Sequence, residues 1–565
     1  MYLSFLRFVR NNAWLAAIFC ILPIVIYIWV FKVIALNVNY VAFDDIMILG
    51  IIPAFDQASL LERWQLLTTL FPEHRLVFSR SVILILHAIF GKVNLVWPMI
   101  IANVCWGLCA VVFYRAFLRL NRSLWYFVPI LWLWFNIQSF ENIFWGVSSL
   151  CNFGLLLFAL SALYYAVYHP GKIAFSLFFA IAATFTYGNG LMVFPVIGLV
   201  YLLAGYRRQF VIAIITTVVI ALIYFIDFTP ITQNLDLSNP QQVKEGFFGF
   251  FGFIGSIATL TAYSTPPVRL YLASFVGILM IVFFLILYRK QFLKLWDSIL
   301  LKTRYTNQTA LFAAAIAIFV GITALALTYK RIPTDTFEGM FKGRYRMYST
   351  LWVIALYFGF LSVAKSDLTK KWAPVILIAT ILLNLFILHG NFADAVNNRR
   401  AAIVQEFNAR YNADWLGVRM FSMDQKYYEQ IRAYYQSADP IAEGWNPKMV
   451  SDIVCDSIYQ PDAVTQMGNN ILVTFNADFF KPEKDYSDGA YVLLKSANHI
   501  YASPPNQPAV PLKTTFRRLM YFSKGVHASF HEATVEPGLY QIYLLVRKNG
   551  KNKIYCTGKT WQENK

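Results

Sequence analysis

Residues 14–38 read WLAAIFCILPIVIYIWVFKVIALNV, an apolar run interrupted by a single charged side chain, Lys32. A helix needs roughly 20 apolar residues to span a bilayer, so this stretch predicts a transmembrane helix. The run is longer than the core of a signal peptide and has no small-x-small cleavage site. We therefore expect it to remain as a signal anchor, with the N-terminus, including Arg7 and Arg10, in the cytoplasm.

Similar apolar runs recur along the chain as far as His389, and the residues that follow are mostly polar. Of the 565 residues, 58% are hydrophobic and 14% are charged, and the mean hydropathy is +0.52. A soluble protein of this composition would expose large apolar patches. We therefore expect a mainly α-helical polytopic membrane protein, with a transmembrane domain at 1–390 and a soluble exocytoplasmic domain at 391–565.

The net charge of +18 comes mostly from Lys and Arg residues in short loops between apolar runs, which is the pattern of cytoplasmic loops. We interpret this charge as topology and expect no nucleic-acid partner. The expected cytoplasmic groups are Arg115, Arg119 and Arg122, then His169–Lys172, Arg207 and Arg208, Arg289–Arg304, and Lys365–Lys371.

With these loops inside, the pattern predicts about eleven crossings. They lie near 14–38, 93–117, 124–138, 149–168, 172–187, 190–205, 209–227, 267–288, 309–328, 350–365 and 372–389. Counting Leu76–Phe90 or Phe247–Tyr263 as a crossing would put a basic loop on the wrong side, so both are expected to be outer-surface or re-entrant helices. An odd number of crossings places the C-terminal domain outside.

The C-terminal domain changes its pattern along its length. Helices are expected at 393–411 and 425–436, and strands at 471–475, 490–494, 516–522, 540–546 and 553–556. Asn549-Gly550 suits a tight hairpin turn before the last strand. This predicts a helical connector followed by a β-sandwich or α+β end. Cys455 and Cys556 are candidates for a disulfide, whereas Cys20, Cys105, Cys109 and Cys151 lie in apolar runs and are expected to be structural.

Asp44 and Asp45 follow the first crossing on the expected outer side. Neighbouring side chains on a helix diverge by about 100°, so only one of the two is expected to face a cavity. Such a carboxylate can accept a proton from, or position, an acceptor hydroxyl. The alternative is a solvated helix cap. The same pair would be the ligands if a divalent cation is bound, but no His-x-x-x-His or Cys-x-x-Cys pattern and no Walker loop is present.

Further charged segments share the expected outer side. Glu73, His74 and Arg75 precede the surface helix and could equally form its first turn. Lys342, Arg344 and Arg346, interleaved with Gly343 and Tyr345, run against the positive-inside bias. Arg binds phosphate through a planar fork, and the alternative is snorkelling to lipid headgroups. Glu141-Asn142 and Tyr187–Gly190 are short outer turns that either line a cavity or simply reverse the chain.

Together, the outward Asp pair, the surface helix in the same loop, the Gly343–Tyr345 segment and the exocytoplasmic C-terminal domain resemble the GT-C superfamily of integral-membrane glycosyltransferases. Glu73–Arg75 and the Glu-Asn-x-x-Trp-Gly segment from Glu141 are similar to those of uncharacterised bacterial members. The resemblance covers residues 1 to about 390 and implies location in the bacterial inner membrane.

This resemblance implies transfer of a sugar from a polyprenyl-phosphate donor to a cell-envelope glycan, lipid or protein, with inversion and no nucleotide sugar. Asp44 or Asp45 would be the base. Arg344 and Arg346, with Lys342 and an assisting Arg75, would bind the donor phosphate. The supporting residues would be Glu73, His74, Glu141, Asn142 and Tyr345. Protein O-mannosyltransferase-like members have Asp-Glu instead of Asp-Asp, which leaves the base and any metal requirement open.

Two other functions fit the same features. A flippase or transporter for lipid-linked sugars would also need cationic groups for a phosphate, but it predicts matching halves with broken helices, and none is evident. A glycan polymerase or ligase would share the substrates, although it usually has its large loop within the membrane region instead of a terminal soluble domain.

Overall fold

The computed structural model describes residues 12–36, 43–71, 73–230, 233–260, 266–293, 304–412, 431, 433–435, 457–468, 470–476, 485–531 and 535–563. The first part is helical. Its helices are α1 (Ala13–Ile34), α2 (Phe43–Leu49), α3 (Ile51–Gln57), α4 (Leu60–Thr68), α5 (Val77–Phe90), α6 (Val96–Leu118), α7 (Val128–Trp134), α8 (Phe140–Ile143), α9 (Gly146–Tyr168), α10 (Ile173–Thr186), α11 (Val193–Leu203), α12 (Arg207–Tyr224), α13 (Pro240–Gly255), α14 (Pro266–Leu293), α15 (Gln308–Asp335), α16 (Arg346–Val363) and α17 (Ser366–Asn412).

Eight of the described helices are long and apolar enough to cross a bilayer: α1, α6, α9, α12, α14, α15, α16 and α17. The outer ones turn apolar side chains away from the protein. In α12, for example, Ile215 and Leu222 are 58% and 68% exposed. A surface of this kind is stable against lipid and unfavourable in water. The chain is therefore a multi-pass membrane protein with a C-terminal β-sheet region, as the sequence predicted.

The remaining predicted crossings are shorter apolar helices, at Leu124–Trp134, Pro170–Thr186 and Gly188–Leu203. α7 ends at Trp134, yet the chain continues through the interior. Asn384 donates its amide to the carbonyls of Trp132 and Phe135, at 2.5 and 3.0 Å. Backbone that leaves a helix at membrane depth needs such partners inside the protein. The two segments predicted not to cross are helices α5 and α13.

The described parts of the basic loops lie together at one end of the helix bundle, which we call the basic end. Arg122 donates to the hydroxyl of Thr369 and the carbonyl of Leu361. The guanidinium of Arg119 lies 5.7 Å from the ring centroid of Tyr168. Three hydrogen bonds complete this end of the bundle: Tyr305 N to Leu203 O, Asn307 Nδ2 to Ser362 O, and Gln308 Nε2 to Val167 O.

The opposite ends of the same helices meet in a second cluster, which we call the site end. α9 begins beside Asp45, α16 begins beside Glu141, and the turn after α10 places Tyr187 against His74. At about 1.5 Å per residue, the 23-residue α9 is ~34 Å long, enough to cross the ~30 Å hydrocarbon core. Basic loops and candidate site residues are thus separated by the thickness of a membrane.

α17 continues through residue 390 as one helix of 47 residues, so the predicted domain boundary falls inside it. Its last turns carry Arg399 and Arg400, both buried. Arg399 donates to Ile34 O at 2.7 Å and to Ser487 Oγ at 3.0 Å, and Arg400 donates to Asp488 O and Gln507 Oε1. These contacts join the end of α1 to the C-terminal region. The pKa of Asp485, which burial would raise, is held low by hydrogen bonds from Ser487 and by Arg399.

The described residues of the C-terminal region form two antiparallel sheets. Its strands are β3 (Ala463–Met467), β4 (Asn470–Phe475), β5 (Gly489–Lys495), β6 (Ile500–Ser503), β7 (Val526–His531), β8 (Gly538–Lys548) and β9 (Lys551–Glu563), after β1 (Leu70–Phe71) and β2 (His74–Arg75), which pair with each other. The sheet orders are β3-β4-β7 and β6-β5-β8-β9. Val473 and Val526 of one sheet and Val492 and Leu544 of the other share one core. The outer face of the larger sheet packs on α17.

The strand predictions near 471–475, 490–494, 540–546 and 553–556 are confirmed, as is the hairpin, where Asn549 and Gly550 have φ of 52° and 74°. The strand predicted at 516–522 is wrong, because Leu512–Arg518 is a helix, α18, begun by Pro511 and ended by Leu519 at φ 49°. Within the predicted helix 425–436, only residues 431 and 433–435 are among the described residues.

The cysteines divide as the sequence suggested. Cys20, Cys105, Cys109 and Cys151 are buried free thiols in helices. Cys556 is disulfide-bonded, and its carbonyl accepts a hydrogen bond from Tyr459 N. Cys455 lies outside the described residues.

Candidate active site

Asp45 is fully buried and holds the start of α9. Its Oδ1 accepts the N–H of Val147 at 2.7 Å, and a Cβ on Gly146 would lie 3.2 Å from the same oxygen. A carboxylate suits this position, because the first N–H groups of a helix lack partners within the helix and the dipole is positive there. Asp45 is therefore a structural residue in this geometry, which departs from its predicted place in the catalytic pair.

Asp44 is the next residue in the chain, but its carboxylate lies near Arg344 and Arg331. Its carboxylate is half-buried, and among the described residues it makes no hydrogen bond or ion pair. Burial raises the pKa of Asp44, against the opposing positive charges of Arg344 and Arg331. A carboxylate with a raised pKa and free oxygens is a better proton acceptor than an ordinary one. The two carboxylates thus have different partners, and Asp44 is the one that remains available.

The Arg344 turn is held by the outer turn at Glu141-Asn142. Glu141 accepts the N–H groups of Gly343 and Arg344, both at 3.2 Å, and Asn142 donates to Arg344 O at 2.7 Å. A Cβ at Gly343 would come within 3.0 Å of the Glu141 carboxyl group, so glycine allows this close approach. Glu141 and Asn142, predicted as supporting residues, thus position the backbone that carries Arg344.

The Arg344 guanidinium lies 5.5 Å from the ring centroid of Tyr345, and it forms no ion pair within the described part of the chain. Tyr345 itself is buried and packs against Phe253. An aromatic face stabilises a guanidinium without neutralising it. Arg344 therefore keeps its charge available beside Asp44, as the predicted role in phosphate binding requires.

Arg331, in the last turns of α15, is a second such cation that the sequence reasoning did not single out. It is half-buried, and among the described residues its guanidinium makes no hydrogen bond or ion pair. Its charge acts on Asp44 and His74. The available signal was a Lys-Arg pair directly after an apolar run on the expected outer side.

His74 and Tyr187 form the remaining wall of the site, with ring centroids 4.3 Å apart. Burial lowers the pKa of His74 to about 4, helped by the charge of Arg331. The imidazole is thus neutral at neutral pH. Its Nδ1 is buried without a hydrogen-bond partner among the described residues, and a Cβ at Gly188 would lie only 2.6 Å from it. His74 Nδ1 is therefore a polar atom of a neutral ring that can form a hydrogen bond with a ligand.

Three of the predicted phosphate ligands form hydrogen bonds or an ion pair with other groups of the protein. Arg75 donates to the carbonyls of Tyr224, Thr68 and Ile226, which fixes the end of α12. Lys342 pairs with Asp335 at 2.6 Å. Arg346 donates to Phe341 O and to Asn391 Oδ1 of α17. These three residues build the site end, whereas Arg344 and Arg331 provide its free positive charge. Glu73, the remaining predicted supporting residue, has its carbonyl 3.4 Å from the Tyr224 hydroxyl.

Within the described residues, no group of three or more His, Cys, Asp and Glu side chains is placed to hold a metal ion. Asp45 turns one carboxylate oxygen to the start of α9, where it accepts the N–H of Val147.

No protein-family model matches the chain, and comparisons with curated proteins and with solved structures found no match. Its function is therefore inferred from the geometry of this site.

Proposed function

We propose that the protein is an inverting membrane glycosyltransferase that moves a sugar from a polyprenyl-phosphate donor to a cell-envelope glycan, lipid or protein. One observation carries this proposal: the available carboxylate of Asp44 lies in the field of two guanidinium groups, Arg344 and Arg331, that no carboxylate pairs within the described residues. The carboxylate of Glu141 also acts on Arg344, but its oxygens accept the N–H groups of Gly343 and Arg344, so both guanidinium groups keep donors for an anion.

In the proposed reaction, Asp44 accepts the proton of an acceptor hydroxyl as the hydroxyl oxygen attacks the anomeric carbon of the donor sugar. The bond between that carbon and the phosphate oxygen breaks, and its electron pair leaves with the lipid phosphate. Arg344 and Arg331 stabilise the charge that develops on the leaving group. The neutral ring of His74 and the hydroxyl of Tyr187 line the same space and orient the sugar.

The same proposal includes the orientation. In this proposal the eight long helices and the three shorter ones at Leu124–Trp134, Pro170–Thr186 and Gly188–Leu203 would each cross the bacterial inner membrane once, with the basic end in the cytoplasm. The site and the C-terminal region would then face the periplasm. The disulfide of Cys556 supports this placement, because disulfides persist in oxidising compartments.

The test compares surface glycans, lipids and glycoproteins by mass spectrometry in cells that carry the wild type, Asp44→Asn, or no copy of the gene. Asp236→Asn is the matched control, since Asp236 is exposed and bonded to Ser238. We expect a sugar-sized mass to disappear in the deletion strain and in Asp44→Asn at equal membrane levels, and to remain in the control. If Asp44→Asn retains that mass, the proposed base is wrong. If lipid-linked sugar crosses reconstituted vesicles without a new glycosidic bond, the protein is a flippase.

A further inference from the structure

A second concave surface lies at the site end, apart from Asp44. It is a cavity of ≈ 340 Å³ between α13, the start of α14 and the turn after α15. This volume is at the lower end of the roughly 300–1,000 Å³ typical of small-ligand sites. It is large enough for one or two sugar rings.

Three aromatic rings form the apolar wall of this cavity. The ring centroids of Phe248 and Tyr271 are 5.5 Å apart, and those of Tyr271 and Phe337 are 5.8 Å apart. Tyr271 is 52% exposed, so its ring is accessible to a ligand. Exposed aromatic rings beside polar groups offer a flat apolar surface together with hydrogen-bonding partners. The C–H face of a pyranose ring matches such a surface.

The polar wall carries one ammonium group and two carboxylates. Lys244 and Glu338 are exposed, and neither is paired with another described residue. Glu245 is engaged, since it accepts the N–H of Phe337 at 3.2 Å and the amide of Gln241 at 2.7 Å. One positive and two negative charges give the cavity a net charge of −1, which disfavours a phosphate. Donors and acceptors side by side suit uncharged hydroxyl groups.

The turn that presents Phe337 and Glu338 is strained. Thr336 has φ 57° and ψ −172°, a region that β-branched residues almost never occupy. Its neighbours hold it there: Thr336 N donates to Ile332 O, and Glu245 anchors the next N–H. Backbone strain of this kind accumulates at ligand sites. The same turn continues directly into Lys342–Tyr345, which carries Arg344 to the active site.

We propose that this cavity is a sugar-binding subsite that holds an uncharged sugar of the acceptor next to the active site. The assignment to the acceptor rests on the proposed function, whereas sugar binding by the cavity does not. Tyr271 and Phe337 stack on the ring, and Lys244 and Glu338 bond its hydroxyl groups.

The test is saturation-transfer NMR on the full-length protein in phospholipid nanodiscs. The probes are the methyl β-glycosides of glucose, galactose, mannose and N-acetylglucosamine, at millimolar concentration. We expect the wild type to saturate the ring protons of at least one probe. Tyr271→Ala and Glu338→Gln should each reduce that saturation about fivefold or more. Phe516→Ala is the control, because Phe516 is exposed in the C-terminal region and does not line the cavity.

Equal saturation in wild type, Tyr271→Ala and Glu338→Gln would overturn the proposal, as would the absence of saturation for every probe. Displacement of the sugar by inorganic phosphate would overturn it as well. A loss of binding in Glu338→Gln cannot be attributed to misfolding, since the Glu338 side chain is exposed and glutamine has the same shape.

The two proposals fail separately. Asp44→Asn should bind the sugar as the wild type does, while its transfer rate falls roughly 10²–10⁴-fold. In the Tyr271→Ala variant, we expect a higher KM for the acceptor at unchanged kcat. An unchanged KM with lost sugar binding would overturn the acceptor assignment. If the wild type binds sugar but transfers none, the proposed function is wrong, whereas the assignment of the cavity as a sugar-binding site is retained.

Discussion

Neighbouring residues Asp44 and Asp45 should respond to the same substitution in opposite ways. Asp45 makes a buried, charge-assisted hydrogen bond of 2.7 Å to Val147 at the start of α9. Such bonds contribute ~1.5–3 kcal/mol to stability, and the helix dipole adds ~0.3–1 kcal/mol. Asp45→Ala should therefore destabilise the protein by about 2–4 kcal/mol. Asp45→Asn keeps a neutral acceptor worth ~0.5–1.5 kcal/mol and should cost about half as much.

Asp44→Asn should leave stability unchanged or slightly higher, because burial of an uncommitted carboxylate is unfavourable and the amide removes that charge. Its transfer rate should fall roughly 10²–10⁴-fold, the usual contribution of a general base. The folded Asp45→Asn protein should transfer sugar at nearly the wild-type rate. The two variants thus separate chemistry from structure at adjacent positions.

The assay is thermal unfolding in detergent micelles, followed by transfer measured per mole of folded protein. α9 runs through the centre of the bundle with nearly all its residues buried, so loss of its anchor should lower the Tm of the whole transmembrane region. An unchanged Tm for Asp45→Ala would refute the assignment of Asp45 to the start of α9. Full transfer by Asp44→Asn, with loss of transfer in folded Asp45→Asn, would reverse the two roles.

Four further predictions concern the pH dependence of transfer at Asp44 and His74, the role of Arg331 and the backbone at Thr336. Because burial raises the pKa of Asp44, the base should become protonated, and transfer should fall, at a higher pH than for an ordinary carboxylate; a pH–rate profile with its acid limb near an ordinary Asp pKa would contradict this. His74, with its pKa lowered to about 4, should not contribute a titration near neutrality. Arg331→Gln should reduce the transfer rate roughly 10–100-fold, because the leaving phosphate loses a stabilising charge. Arg331→Lys should have an intermediate rate, and Lys330→Gln is the neighbouring control. Wild-type kinetics in Arg331→Gln would show that Arg331 takes no part in the reaction. Thr336→Gly should raise the free energy of unfolding by about 1 kcal/mol, because relief of ~1–3 kcal/mol of backbone strain exceeds the conformational entropy that glycine loses on folding. An unchanged or lower Tm would show that this strain is absent.

The helical part of the fold was predictable because apolar runs of membrane length have few alternatives in lipid. Charge then led to the prediction that α5 and α13 do not cross the membrane, and the structure shows both segments as helices. The C-terminal strands were less predictable. β7 alternates buried and exposed residues along its length and could have been found from that pattern. Residues 512–518 became a helix because Pro511 begins one there, although the aromatic residues that follow favour a strand.

The candidate site was only partly predictable, since its contacts join residues far apart in the chain. Sequence position could show that Glu141 and Arg344 lie on the same side of the membrane, but not that one holds the backbone of the other. It also grouped Arg75 and Arg346 with Arg344 by residue type. Arg75 binds the carbonyl oxygens of Tyr224 and Ile226, and Arg346 binds the side-chain oxygen of Asn391; these partners are far away in the chain and are brought close only by folding.

The different roles of Asp44 and Asp45 follow from the geometry of helix α2. On helix α2, consecutive side chains point about 100° apart, so the two carboxylates do not reach the same partner. Which of the two faces inward depends on where the first N–H groups of α9 lie, and that is fixed by the packing of α9 at the centre of the bundle. Once Asp45 is bound there, Asp44 is left beside Arg344 and Arg331 with its oxygens uncommitted. The anchored residue therefore determines the direction in which the available carboxylate points, and a shift of α9 would move the proposed base with it.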